Sequence, residues 1–162
     1  MTSTYPGLKA GERVLVADDK ISIELADGWS ETELNQGDVL AGFATQDQRY
    51  SLFLNSFEAG GSMQEVIDAT MVNFEEKFTI RSEEKAVTGQ TQGPGDKKWP
   101  AIYKTMEADF DRGDQVFGMR FYLLIFDTGT SLYLIQASAT LPVRDSRETQ
   151  IIEMIRSIVA KP

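Results

Sequence analysis

Three short stretches of this sequence gather residue types that can do chemistry. Asp109-Phe110-Asp111-Arg112-Gly113-Asp114 sets three carboxylates around a glycine. Gly89, Gly93 and Gly95 lead into Lys97-Lys98, and Ser82-Glu83-Glu84-Lys85 spells Ser-x-x-Lys. Each fails a test of order or context. A calcium loop alternates its oxygen ligands, turns on a glycine after the third and closes with a glutamate. Here the glycine precedes the last aspartate and the residue six beyond Asp114 is Arg120, so the segment predicts a hairpin turn. A phosphate cradle needs its glycines at fixed spacing before Lys-Ser/Thr and a helix to follow. The pattern after Lys98 predicts a strand, so residues 92–98 are expected to form a flexible, exposed loop. Ser-x-x-Lys works only where the serine opens a buried helix, and here it lies in an acidic stretch just past one.

The chain has no histidine and no cysteine. Histidine is the one side chain that titrates near neutrality without being perturbed, and cysteine supplies thiolate nucleophiles, structural zinc sites and disulfides. Ser–His and Cys–His catalysis, zinc fingers and redox motifs are therefore excluded. What survives is carboxylate, lysine, tyrosine and hydroxyl chemistry, or binding without turnover. Sixteen basic against 25 acidic residues give a net charge of −9, which argues against nucleic acid or an anionic lipid surface as the main partner. No cofactor and no metal are implied. The aromatic residues carry the remaining signal. Trp29 follows the Asp27-Gly28 turn and is expected to plug the core beneath it. Trp99 stands between Lys98 and Pro100 at a loop edge, where an exposed tryptophan would anchor a protein contact. Trp99, Lys97, Lys98 and Trp29 are thus the candidate partner-binding residues, with Trp99→Ala expected to weaken binding while leaving the fold intact.

The elements that must position these residues follow from periodicity. Val14 to Val16 suggests a short strand, and Ile21, Ile23 and Leu25 alternate with Ser22 and Glu24 as in a half-buried one. Residues 38–45 and 49–57 read as a hairpin turning at Gln46-Asp47-Gln48 and closed by Gly60-Gly61. Ser62 with Glu65 makes a capping box. Met63, Val66, Ile67, Thr70, Met71, Phe74 and Phe78 then recur at helical spacing. Residues 79–91 predict one strand, 100–110 and 116–126 a long hairpin, and 131–141 a further strand stopped by Pro142. Asp145 with Glu148 offers a second capping box, and Ile151, Ile152, Ile155, Ile158 and Val159 form the apolar stripe of a last helix. Between Phe121 and Phe126 both strand faces are apolar, which calls for a layer on each side of the sheet. The expected fold is therefore α+β: a three-layer α/β/α sandwich with a mostly antiparallel meander sheet and two main helices. Residues 1–13, with Pro6, Gly7 and Gly11, are expected to be a partly ordered arm, and 14–162 a single domain. No basic and apolar leader opens the chain and no stretch suits a transmembrane helix. Its expected place is the cytoplasm as written, or the periplasm if an export signal has been removed.

The run Lys20-Ile21-Ser22-Ile23-Glu24-Leu25 into Asp27-Gly28-Trp29 resembles the entry strand and turn of the PsbP-like superfamily. The capped helix from Ser62, the hairpin from Pro100 to Leu141 and the final helix from Ser146 follow the same plan, so the resemblance spans roughly residues 20–160. Ala26 stands where bacterial members commonly have proline, and no lipobox cysteine is present. The superfamily takes in photosystem II extrinsic proteins, the Ran-binding Mog protein, DcrB-type lipoproteins and Eag chaperones, which mostly bind proteins as accessory factors. The resemblance implies a non-catalytic binding or chaperone-like module, contacting a protein through a sheet edge, the 92–99 loop or an apolar groove. The rival readings are a small carboxylate-based, metal-dependent enzyme and a small-ligand carrier.

Overall fold

The computed structural model describes residues 12–32, 39–58 and 61–162. Residues 1–11 of the expected arm and Gly60 of the expected hairpin end lie outside them. The elements are β1 (Glu12–Val16), β2 (Ile21–Leu25), β3 (Trp29–Glu31), β4 (Val39–Thr45), β5 (Tyr50–Glu58), α1 (Met63–Lys77), β6 (Thr79–Glu83), β7 (Val87–Gln92), β8 (Lys98–Arg112), β9 (Gln115–Asp127), β10 (Ser131–Thr140), α2 (Asp145–Arg156) and β11 (Val159–Ala160). All strands join one sheet in the order β1-β2-β11-β7-β8-β9-β10-β5-β4-β3, with β6 beside β8 beyond the end of β7.

The α+β class is as expected; the meander is not. β5 pairs with β10 across the whole inserted segment from α1 to β9, and β11 lies parallel to β7. The sheet is therefore mixed. It also does not lie flat as the middle of a sandwich. Val14, Ile21, Ile23 and Leu25 from one end of the sheet share a buried core with Trp29, Phe43, Tyr50 and Leu52 from the other, together with Ile151, Met154 and Ile155 of α2. The two flanks curl around α2 as a half-barrel, while α1 packs on the outer side of the central strands.

The alternation in β9 explains why both helices are needed. Tyr122, Leu124 and Phe126 enter the α2 core, whereas Phe121, Leu123 and Ile125 join Val66, Ile67 and Phe74 of α1. A doubly apolar strand needs cover on each face to remove its side chains from water. On the α1 side, Phe74 lies 4.6 Å from Phe121, and Phe78 lies 5.1 Å from Phe121 and 5.5 Å from Phe110, ring centre to ring centre. Tilted and edge contacts at these separations each add about 0.5–1.5 kcal/mol beyond area burial. The capping box forms as expected: the Glu65 N–H donates to Ser62 Oγ at 3.1 Å and the Ser62 N–H to Glu65 Oε1 at 3.2 Å.

Three local expectations are corrected. Residues 79–91 form two strands: β6, with a register shift between Ile80 and Ser82, pairs with residues 106–109 of β8, and β7 pairs with 98–103 after the ladder lapses at 84–86. The second capping box is absent: Arg144 is the N-cap of α2 and makes no side-chain capping bond. α2 stops at Arg156, and the Ser157 N–H returns to the carbonyls of Glu153 and Met154. Ile158 and Val159 therefore leave the helix, with Val159 entering the sheet. At the other end of the chain, Arg13 of the expected arm pairs with Glu24 in β1–β2.

Candidate functional site

β11 makes a gap in the sheet by being short. Its two residues pair with Ser22 and Ile21 of β2 on one side, and Val159 pairs with Gln92 of β7 on the other. Strands stand about 4.8 Å apart, so β2 and β7 are about 9.6 Å apart where β11 lies between them. Before Val159 the chain peels away into α2. The turn it makes serves β1 and β2: Ser157 Oγ accepts the Glu24 N–H at 2.8 Å, and Arg13 donates to the Ser157 carbonyl at 2.8 Å. β7 pairs with β8 from Val87↔Tyr103 to Gln92↔Lys98. Along residues 87–91 it has no second strand neighbour among the described residues.

That free edge borders a groove of about 330 Å³ between β7 and the end of α2. Ala101, Tyr103 and Leu124 line it from β8 and β9, Ile152, Ile155 and Arg156 from α2, and Val87, Gly89 and Thr91 from β7. Val87 is 60% exposed. A Cβ added at Gly89 would meet nothing within 4 Å. Arg156 is exposed and makes no hydrogen bond or ion pair among the described residues. The groove thus combines an apolar lining, unpaired strand backbone and one available cation.

An ionic cluster stands across β6, β8, β9 and the start of α2. Arg120 reaches Glu84 at 3.0 Å and Glu107 at 3.2 Å. Its Nε lies 3.3 Å from Glu148 Oε2, at ion-pair distance without hydrogen-bond alignment. The Tyr122 hydroxyl donates to the same Glu148 oxygen. Lys104 pairs with Glu83 at 2.9 Å and Arg81 with Asp109 at 2.9 Å. The hydrogen bond from Arg120, aided by Thr105, holds the Glu84 carboxyl below the usual glutamate range. Burial, then the bond to Glu148, pushes the Tyr122 phenol up. Burial works against the Arg120 charge, but Glu84 and its neighbours outweigh it and hold the proton more firmly. These shifts hold Glu84, Tyr122 and Arg120 more firmly in their ordinary charge states. The arrangement ties α2 to the sheet.

The candidate residues fall in different places. Trp29 is the expected core plug: it is 2% exposed and its indole N–H donates to Gln150 Oε1 at 2.9 Å. It is therefore closed to direct contact with a partner. The expected exposure of Trp99 is corrected. Its side chain turns inward, 8% exposed, and the indole N–H donates to the Ala160 carbonyl at 2.7 Å, holding the chain's last strand to β8. Lys97 and Lys98 are exposed, Lys97 over the Trp99 ring and Lys98 against Gln92 Oε1. The 92–98 loop is exposed but not loose, because Gln92 Nε2 donates to the carbonyls of Gly93, Gly95 and Lys97. Residues 109–114 form the β8–β9 hairpin with Gly113 at φ +68°, and the Asp109 carboxylate is engaged by Arg81. No cluster of three or more Asp and Glu suited to a metal ion occurs among the described residues. Val87, Gly89, Tyr103 and Arg156 were not singled out by the sequence. The available signal was Val87-Thr-Gly-Gln-Thr-Gln92, a strand with little apolar alternation, which is how an edge reads.

No protein-family model and no curated protein matches this chain. Solved structures do. Cyanobacterial PsbP (CyanoP) from Synechocystis sp. PCC 6803 superposes with a TM-score of 0.62 at 14% identity, covering 98% of each chain. The chain has the PsbP/Mog1-like fold. LpqN of Mycobacterium tuberculosis, described as involved in cell envelope biogenesis, aligns over 98% of this chain and 90% of its own, with a TM-score of 0.58 and 9% identity. The Saccharomyces cerevisiae Ran-binding protein Mog1p aligns over 93% and 95%, with a TM-score of 0.55 and 10% identity. At these identities the PsbP-like likeness concerns the backbone. The groove at β7 has to be argued from this chain's own residues. No helix among the described residues is long and apolar enough to cross a membrane.

Proposed function

We propose that this chain is a non-catalytic, protein-binding accessory domain, and that the groove between β7 and α2 is its contact surface. The observation that carries the reading is the unpaired β7 edge beside an apolar lining. Exposed strand backbone is an aggregation liability that proteins normally cover or blunt, and here it faces a groove instead. The fold it shares with a protein described as Ran-binding is consistent with this role. Lys97, in the turn after Gln92, and Lys98, the first residue of β8, stand at the Gln92 end of the open edge and belong to the proposed surface; Trp99 supports it from beneath. A client held here is extended, since only an extended segment can pair with the open backbone of residues 87–91. That separates this reading from a chaperone for apolar helices.

A small-ligand carrier is the second reading, because the groove volume stands at the lower end of small-molecule pockets. Unpaired backbone favours the protein. The test is cross-linked co-purification from the native host, comparing wild type with Gly89→Phe. The new side chain enters open space and fills the groove without disturbing the core. One protein captured near stoichiometry by the wild type and lost from the variant supports the proposal. Equal capture moves the contact elsewhere, and an apolar compound in native mass spectra of the wild type alone favours the carrier.

A further inference from the structure

The slot beside β7 states what its occupant must look like. We infer that the partner enters as an extended segment that adds to β7 as a strand, with a carboxylate over Arg156; this rests on the protein-binding reading above. Three features converge on it. The first is direction: Val159 of β11 already lies parallel beside Gln92, so a guest along residues 87–91 continues on the side of β7 that a strand has begun to cover. The second is backbone: residues 87–91 span about 13–17 Å at the usual rise per residue, and alternate residues turn their N–H and C=O toward the slot. A guest of about five residues satisfies them, as in strand addition elsewhere. The third is charge and shape: Tyr103, Leu124 and Ile155 line one side for alternate apolar side chains, and Gly89 leaves room above the strand. Arg156, at the end of α2, is the groove's cation. In a chain of net charge −9, an arginine with no ion pair among the described residues selects, in an apolar groove, an acidic group by contrast with its surroundings.

The experiment is selection of random heptapeptides displayed on phage against the whole chain, run in parallel on Gly89→Phe and Arg156→Glu. The expected result is enrichment of peptides that alternate apolar residues, lack central proline and carry an acid near one end. Enrichment disappears on Gly89→Phe, and Arg156→Glu exchanges the acid for lysine or arginine. The best peptide, synthesised with N-methyl groups at every second amide, loses at least about tenfold in affinity in one phase of methylation and little in the other, because only one set faces β7. Apolar residues at helical spacing, indifference to both methylation phases, or no enrichment over Gly89→Phe overturns strand addition. Failure here with a protein still captured by the wild type and lost from Gly89→Phe leaves protein binding standing. Failure of both overturns both.

Discussion

The two faces of the sheet are closed in different ways. On the outer face α1 is held by its own sequence, with a complete capping box at Ser62–Glu65 and a cluster of phenylalanines against β8 and β9. On the inner face α2 has no side-chain cap and is held by distant residues: Glu148 by Arg120 and Tyr122, Gln150 by Trp29. The same capping-box spacing, Ser62/Glu65 and Asp145/Glu148, ends differently: α2 starts one residue early, with Arg144 as its N-cap, and Glu148 goes to Arg120 and Tyr122. A helix fixed from outside can stop early, and where α2 stops the sheet is left incomplete. The groove is therefore a by-product of how the inner face is assembled.

Trp99→Ala should break the inner face most. It removes a buried indole and the bond to Ala160, and the expected cost is about 3–5 kcal/mol. Denaturant midpoints check it, with hydrogen exchange at Val159 and Ala160 rising together. An unchanged midpoint would return Trp99 to the surface. Arg120→Met comes next, expected to cost about 1–3 kcal/mol by leaving Glu84, Glu107 and Glu148 without their shared cation. Exchange should quicken in α2 and not in α1; equal quickening would deny that the cluster acts on one helix.

The caps sharpen the comparison at lower amplitude. Ser62→Ala should cost about 1 kcal/mol, whereas Asp145→Ala should stay within about 0.5 kcal/mol, as for an ordinary surface change. Equal losses in thermal melts would mean that α2 is capped after all. The smallest effect is that of Glu84. Its carboxyl is held below the ordinary value of 4.5, so its contribution is present above that pH and is lost as pH falls through the lower folded value. The carboxylate is 63% exposed, and solvent screening keeps the effect below about 1 kcal/mol. Glu84→Gln should flatten that part of the stability profile below the ordinary value of 4.5, and an unaltered slope would assign it to other carboxylates.

Most of what was legible in the sequence was local. Alternation at Ile21-Ile23-Leu25, the capping box at Ser62 and the doubly apolar run from Phe121 to Phe126 each report a neighbour within a few residues or a simple burial requirement. The superfamily resemblance drawn from them holds at the level of the fold. The groove was not legible, for a physical reason. It exists because β11 has only two residues, and that depends on the helix ending at Arg156 where the apolar period runs on to Val159. Trp99 misled in the same way. Its flanking Lys98 and Pro100 are exposed, but its indole answers a carbonyl 61 residues away. The Arg120 cluster draws on four separate elements, and no spacing rule links them.

The most direct measurement places a photo-activated cross-linking amino acid at Val87, in the groove, and separately at Val72 on α1, in the native host. These valines are 60% and 55% exposed, so accessibility alone does not distinguish them. The account predicts a discrete cross-linked protein from Val87 and none from Val72. Capture from Val72 alone, or the same product from both, would contradict it.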